Sequence, residues 1–362
     1  MYPDVVTARK NSDVEVPLTA QQAEVLDKLL NPAGSLFRVG GRLANLEEAV
    51  FDGTSSVEGK SGNTIIVTKT TAGQYASLQA AVNAAAAGDV ILVGAGSWGP
   101  VDLSLKPGVS LMGLQPPLAD EVVLSRLKFA PTSGTAGANT TYIANLRLSS
   151  NADVTAIELG GGGAPVRVTM SGVRAYRNFA GASSNPLVLC GGADADTSIY
   201  MQGCLFGTEG SQYTSVLIRN GARYLDLNNC SFQQGLHCLD ILSAAVPVTV
   251  AASLCRFETA SAGAPCIKVA SGASAETTVS LAIGNSLVRN RGANSSGIQL
   301  GGVFSVCAAA NTVFDVSDGT GNVVSGTGLL AHNNISVQPA ILGARETSIS
   351  GTVAKHAFQV LS

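Results

Sequence analysis

Residues 64–114 read TIIVTKTTAGQYASLQAAVNAAAAGDVILVGAGSWGPVDLSLKPGVSLMGL. The opening TIIVT is a short β-branched run, the composition of a strand. SLQAAVNAAAA is alanine-rich, with Leu78, Val82 and Ala85 at steps of four and three. That spacing predicts a helix over residues 77–87 with one apolar face. GDVILVGAGSW is a turn, an apolar strand and a second turn, and after VDLSL the Pro107-Gly108 turn leads into a last strand, VSLMGL.

Residues 85–98 fit the phrase A-x-x-G-D-x-I-x-V-x-x-G-x-[YW], matched at Gly88, Asp89, Ile91, Val93, Gly96 and Trp98. The phrase and the order of elements around it resemble the opening coil of the pectin-lyase-like right-handed β-helix family. In that family a short helix plugs the first turn of a parallel solenoid. The resemblance implies an all-β chain wound as a right-handed, single-stranded parallel β-helix with a small N-terminal helical arm. It implies no particular chemistry, because the family includes lyases, hydrolases, esterases and inert structural proteins.

A repeat runs through the body of the chain. VVLSRLKF (122–129), TYIANLRL (141–148), VTMSGVRA (168–175), IYMQGCLF (199–206), LDLNNCSF (225–232), VAASLCRF (250–257), LAIGNSLV (281–288), CAAANTVF (307–314) and LAHNNISV (330–337) align as one segment type. Their sixth positions, from Leu127 to Ile335, recur at intervals of 19 to 31 residues, the period of a solenoid coil with variable loops. A second series lies between them: TAIELGG, NPLVLCGG, SVLIRNG, CLDILSA, PCIKVASG and SGIQLGG, read as the next strand of each coil. Cys204, Cys230 and Cys255 fall on one rung of three successive coils, where small apolar side chains stacked in a dry core are expected rather than a metal or redox cluster. Asn228, Asn229, Asn285, Asn311 and Asn333/Asn334 are expected at coil corners, taking left-handed geometry and pairing with the Asn of the next coil.

Three regions follow: an N-terminal arm over 1–62, the β-helix with its capping helix over 63–337, and a C-terminal cap over 338–362. In the arm, a T-x-x-Q capping box at residues 19–22 opens a helix with Ala23, Leu26, Leu29 and Leu30 on one stripe. SLFRV, with Phe37, reads as a strand. So small a segment cannot form a large core alone, so it is expected to be ordered by a surface it docks on.

Of the 362 residues 41 are Gly, 5% are aromatic and only 13% are charged, which suits tight turns, small stacked side chains and a surface covered by other copies. The net charge of −3 argues against nucleic acid as a partner. The N-terminus lacks a basic start before an apolar core, so no signal peptide is expected, and no apolar run is long enough for a membrane helix. The chain is therefore expected to be made in a cytoplasm. Seven cysteines without a CxxC pattern form neither a disulfide framework nor a zinc site.

The candidate carboxylates for glycoside hydrolysis are Asp194, Asp196, Glu209, Asp226, Glu258, Asp240, Asp315 and Asp318, none paired by spacing. His237 adjoins Cys238 but has no third partner for nucleophilic catalysis. The phrases of polygalacturonase-like, pectin methylesterase-like and pectate lyase-like members are missing. No catalytic residue, cofactor or metal ligand is therefore assigned.

A small appendage before a β-helix resembles tail-appendage and capsid-decoration proteins of tailed bacteriophages. In those proteins an N-terminal part binds the particle and a β-helix, commonly trimeric, projects from it. The resemblance implies a non-enzymatic virion structural protein, a homotrimer bound to a major capsid or tail protein. Its attachment anchors would be Leu26, Leu29, Leu30 and Phe37. The alternative is a tailspike that binds or cleaves host surface polysaccharide. A third reading, an extracellular polysaccharide-modifying enzyme, is weakened by the missing signal peptide.

Overall fold

The computed structural model describes residues 7–9, 15–17, 64–69, 75, 77–114, 122–150, 153–177, 185–191, 197–208, 214–219, 222–242, 246–271, 278–316, 322–333, 336–338 and 353–357. The chain divides into two units, Met1–Ser56 with Thr70–Gln74, and Val57–Lys69 with Tyr75–Ser362. In the first, Thr7–Arg9 and Glu15–Pro17 pair antiparallel. The arm helix and the anchors Leu26, Leu29, Leu30 and Phe37 lie outside the described residues.

The second unit is a right-handed parallel β-helix with three strands per full coil. The first sheet begins with Thr64–Val67, Val90–Val93, Ser110–Gly113 and Thr140–Ala144, each strand parallel to the next. It continues through Arg167–Ser171, Thr197–Gln202, Ala222–Asn228, Val248–Ser253 and Val279–Gly284. The second sheet has ten strands, from Gly96–Trp98 to Ser336–Gln338. The third runs from Val101–Asp102 and Leu127–Phe129 through Ile157–Leu159, Val188–Cys190, Thr214–Arg219, His237–Leu242 and Ile267–Ala270. Towards the far end, Ser296–Ala310 and Asn322–Asn333 each pass from the third sheet into the first without a break. Val353–Ala357, within the segment expected to cap that end, adds one more parallel strand to the first sheet.

The opening phrase has a residue-by-residue explanation. The helix is Leu78–Ala84, with Ser77 as N-cap accepting from the Ala80 amide at 3.1 Å. It buries Leu78, Ala81 and Val82, and Gln79 exchanges two hydrogen bonds with the Asp102 backbone, which fastens it to the first coil. Gly88 takes φ +93°, open to glycine at little cost, and the Asp89 carboxylate accepts from the Ala86 amide at 2.7 Å. Ile91 and Val93 point inward. The Trp98 indole N–H donates to the Gly94 carbonyl at 3.1 Å, and the Lys69 ammonium lies 4.4 Å from its ring centroid.

The alternation along each strand puts every second side chain into the core, and parallel registry stacks like on like. Phe206, Phe232 and Phe257 are fully buried in successive coils with ring centroids 5.4 and 4.9 Å apart. The second series of the sequence is the third sheet, with Ile157, Val188, Val216, Leu239, Ile267, Ile298 and Val324 in one ladder.

VVLSRLKF does not share the phase of the other repeats. Val122–Leu124 belongs to the second sheet, where Leu124 pairs with Leu148, and Leu127 pairs with Ile157 in the third. The segment that precedes TYIANLRL in register is VSLMGL, with Leu111 opposite Ile143. The short 19-residue interval from Leu127 to Leu146 came from matching strands of two different sheets, whose inward alternation is the same.

The sixth-position rung is Leu146, Val173, Cys204, Cys230, Cys255, Ser286 and Thr312, all buried. The three cysteines are buried there as free thiols, and the rung also carries donors beside strand-end carbonyls. The Cys230 thiol lies 3.4 Å from both the Met201 and the Asn228 carbonyl oxygens. Ser286 donates to Gly284 at 2.7 Å, and Thr312 to Ala310 at 2.9 Å.

The corner before this rung holds left-handed backbone in each coil from Asn145 to Asn311: Asn145, Gly172, Gly203, Asn229, Leu254, Asn285 and Asn311, with φ between 46° and 61°, while Asn334 lies outside the described residues. Asn228 lies on the strand before it. The corner is not an asparagine ladder, since most rungs set Asn beside Gly or Leu. What the coils share is backbone geometry, with amides such as Asn229 N–H donating to the next coil's Ser253 carbonyl at 3.0 Å.

Candidate functional site

Among the described residues the core is filled with stacked side chains, and the outward rows of the three sheets carry the groups that could meet a ligand. On the third sheet, Lys128, Glu158, Leu189, Leu217, Asp240, Lys268, Gln299 and Ser325 form the outward row. Glu158 is taken up by Arg126 at 2.8 Å and Lys128 at 3.9 Å. Asp240 stands three strands away, about 14 Å at the usual strand spacing, beyond the 5–9.5 Å or so that a glycosidase pair needs.

On the second sheet, Glu258, Arg289 and Asp315 are outward neighbours in three successive coils. Arg289 donates to Glu258 and to Asp315 at 2.6 Å each, Arg256 reaches Glu258 at 2.7 Å, and Arg291 lies 3.8 Å from Asp315. Partial burial pushes the Glu258 carboxyl up, but the hydrogen bonds and charges of Arg256 and Arg289 outweigh it and hold the group below its ordinary range. Glu258 therefore has no proton to give as a general acid at neutral pH. The two carboxylates are bridged by a guanidinium where a substrate or water would have to sit.

The first sheet carries a different face. Tyr142, Thr169, Tyr200 and Asp226 occupy one outward rung in four successive coils, and Tyr224 stands one place along the next rung, beside Ser198. Tyr142 and Tyr200 are each 36% exposed. The Tyr200 and Tyr224 rings lie 5.8 Å apart at 56°, and the Tyr224 hydroxyl is 3.5 Å from the Asp226 carboxylate. Desolvation and the negative charge of Asp226 raise the Tyr224 phenol above its ordinary range, so it stays protonated. Farther along, the same rung continues as Ala251, Ala282 and Ala308.

Of the carboxylates singled out by sequence, the structure brings Glu258 and Asp315 into one ladder and sets the other described ones apart. Asp226 is on the first sheet, Asp240 on the third, Glu258 and Asp315 on the second; Asp194, Asp196, Glu209 and Asp318 lie outside the described residues. His237 is buried with Nδ1 2.7 Å from the Pro265 carbonyl oxygen, which places its proton on Nδ1 because a carbonyl only accepts. Cys238 points into the core, its thiol 3.5 Å from that of Cys266. Cys204, Cys230 and Cys255 are buried free thiols. Contact with Cys230 lowers the Cys204 thiol from its ordinary value, and contact with Cys204 raises that of Cys230 to about 12. Among the described residues no three His, Cys, Asp or Glu converge as a metal site, and no helix is long and apolar enough to cross a membrane. The tyrosine face escaped the sequence reading, although its signal is there: Tyr fills the second place of TYIANLRL and IYMQGCLF, where the last four repeats, from VAASLCRF on, carry Ala.

No family profile matches the chain, and no curated protein is similar to it in sequence. Among solved structures, pectin methylesterase from carrot is 10% identical with a TM-score of 0.45, over 85% of this chain and 90% of that one. The tailspike protein gp49 of Acinetobacter baumannii bacteriophage Fri1, a capsular polysaccharide depolymerase, is 13% identical with a TM-score of 0.44, over 82% of this chain and 64% of its own. ORF18 of Geobacillus virus E2 is 12% identical with a TM-score of 0.43, over 97% of this chain and 66% of its own. The chain thus spans about two thirds of the length of these two phage proteins. The parallel registry of its own three sheets and the capping helix of the first coil make its fold a right-handed parallel β-helix.

Proposed function

We propose that this chain is a non-enzymatic structural protein of a tailed-bacteriophage virion, a capsid decoration or short tail appendage in which a β-helix is carried by an N-terminal attachment segment. The observation behind this reading is the division into a small N-terminal unit and a solenoid whose coils satisfy one another's backbone. The commitment of Glu158, Glu258 and Asp315 to ion pairs adds to it. The reading takes the protein to be a homotrimer bound to a capsid or tail protein, with Leu26, Leu29, Leu30 and Phe37 as anchors. The test is full-length protein added to particles that lack it, with Leu26→Asp and Leu29→Asp as variants. Wild type is expected to bind and the two variants to stay folded and fail. Equal binding by all three would move the attachment elsewhere, and no binding by wild type would end the virion reading.

A second reading, a tailspike that binds or cleaves host surface polysaccharide, is favoured by the exposed tyrosines of the first sheet.

A further inference from the structure

Four successive coils, from the one of Thr140–Ala144 to the one of Ala222–Asn228, hold three of the seven tyrosines of an aromatic-poor chain on one outer face. Packing does not call for them. At the equivalent outward rung the later coils have Ala251, Ala282 and Ala308, and the solenoid winds on unchanged. Two of them, Tyr142 and Tyr200, are among the eight large hydrophobic side chains exposed among the described residues. We propose that this face, from the coil of Tyr142 to that of Tyr224, binds an extended polysaccharide with its sugar rings stacked on Tyr142 and Tyr200. The inference rests on the binding half of the second reading above and is independent of cleavage.

The chemistry fits a pyranose chain. A sugar ring has an apolar C–H face and a rim of hydroxyls, so it is recognised by an aromatic plate flanked by small donors and acceptors. Tyr142 and Tyr200 are two strands apart, about 9.6 Å, close to the length of two extended sugar units, with Thr169 as the floor between them. Asp226 continues the same rung as an acceptor for hydroxyls, with the Tyr224 hydroxyl 3.5 Å from its carboxylate and the Tyr224 ring tilted against Tyr200. Exposed Arg167 stands on the neighbouring rung as a donor. A solenoid holds these groups on rigid strands, so little ordering opposes binding.

The experiment is native gel electrophoresis of the full-length chain in gels cast with lipopolysaccharide, alginate, xylan or dextran. At least one polymer is expected to retard wild type. Tyr142→Ala and Tyr200→Ala should each weaken that retardation about tenfold, the scale of one aromatic contact. Tyr142→Phe should keep most of it, Ala282→Ser all of it, and thermal melting should show all variants folded. Retardation of wild type with the tyrosine variants unaffected would overturn this site and leave the second reading standing. Retardation by none of the four polymers would overturn both.

Discussion

Replacing Cys230 by Ser separates two pictures of the core. If the cysteine rung were a dry apolar stack, a hydroxyl there would cost roughly 1–3 kcal/mol and would be worse than simple truncation. The geometry argues the opposite order. The Cys230 sulfur already faces two carbonyl oxygens at 3.4 Å, and one and two coils beyond Cys255 the rung holds Ser286 and Thr312 with hydroxyls bonded to the equivalent carbonyls. A serine hydroxyl would regain a hydrogen bond of about 1 kcal/mol, which offsets most of its desolvation, so the net cost should be about 1 kcal/mol or less. Alanine leaves both the acceptors and a small void uncompensated, and should cost about 2 kcal/mol. Guanidinium unfolding of the full chain, followed by far-UV circular dichroism, measures both, provided the slopes stay equal so that midpoints compare stabilities. A serine variant less stable than the alanine variant would refute the reasoning and restore the dry stack.

Leu254 holds φ +54° with 59% of its surface exposed, in a corner where other coils have Asn or Gly. Leu254→Asn should stabilise by about 1 kcal/mol, read as a rise of roughly 2 °C in melting temperature; no rise would mean the leucine is held by contacts of its own. Phe232→Ala, in the middle of the stacked rings, should cost about 3–5 kcal/mol, and a loss under 1 would show that the core collapses around the gap. Burial raises the Cys190 and Cys307 thiols from about 9 to about 12. Because the folded values lie above the unfolded ones, their contribution is intact below pH 9 and lost as pH rises towards 12. Denaturation midpoints of the Cys190→Ala, Cys307→Ala double variant should therefore fall less steeply over that range than wild type, and identical slopes would count against it.

The fold was legible in the sequence because it rests on local, repeated demands. The corner needs left-handed backbone, which Asn and Gly supply most cheaply, and inward places need apolar or small side chains, so each coil writes a similar phrase. The capping helix and the Gly88-Asp89 turn are local in the same sense, each closed by partners a few residues away. The phase of VVLSRLKF was not legible, since strands of different sheets share one alternation and only pairing tells them apart. The hydrogen-bonding character of the cysteine rung was equally hidden, because the acceptors come partly from the preceding coil. The outer faces were hidden most of all. Loops of unequal length decide which outward residues become neighbours, so Glu258, Arg289 and Asp315, spread over 58 residue numbers, meet in one ion-pair ladder. By the same winding Tyr142 and Tyr200 come to stand two strands apart. How each coil is built could be read from the chain, because it follows from contacts repeated at every turn. What the surface presents could not, because it depends on the register in which the coils are stacked.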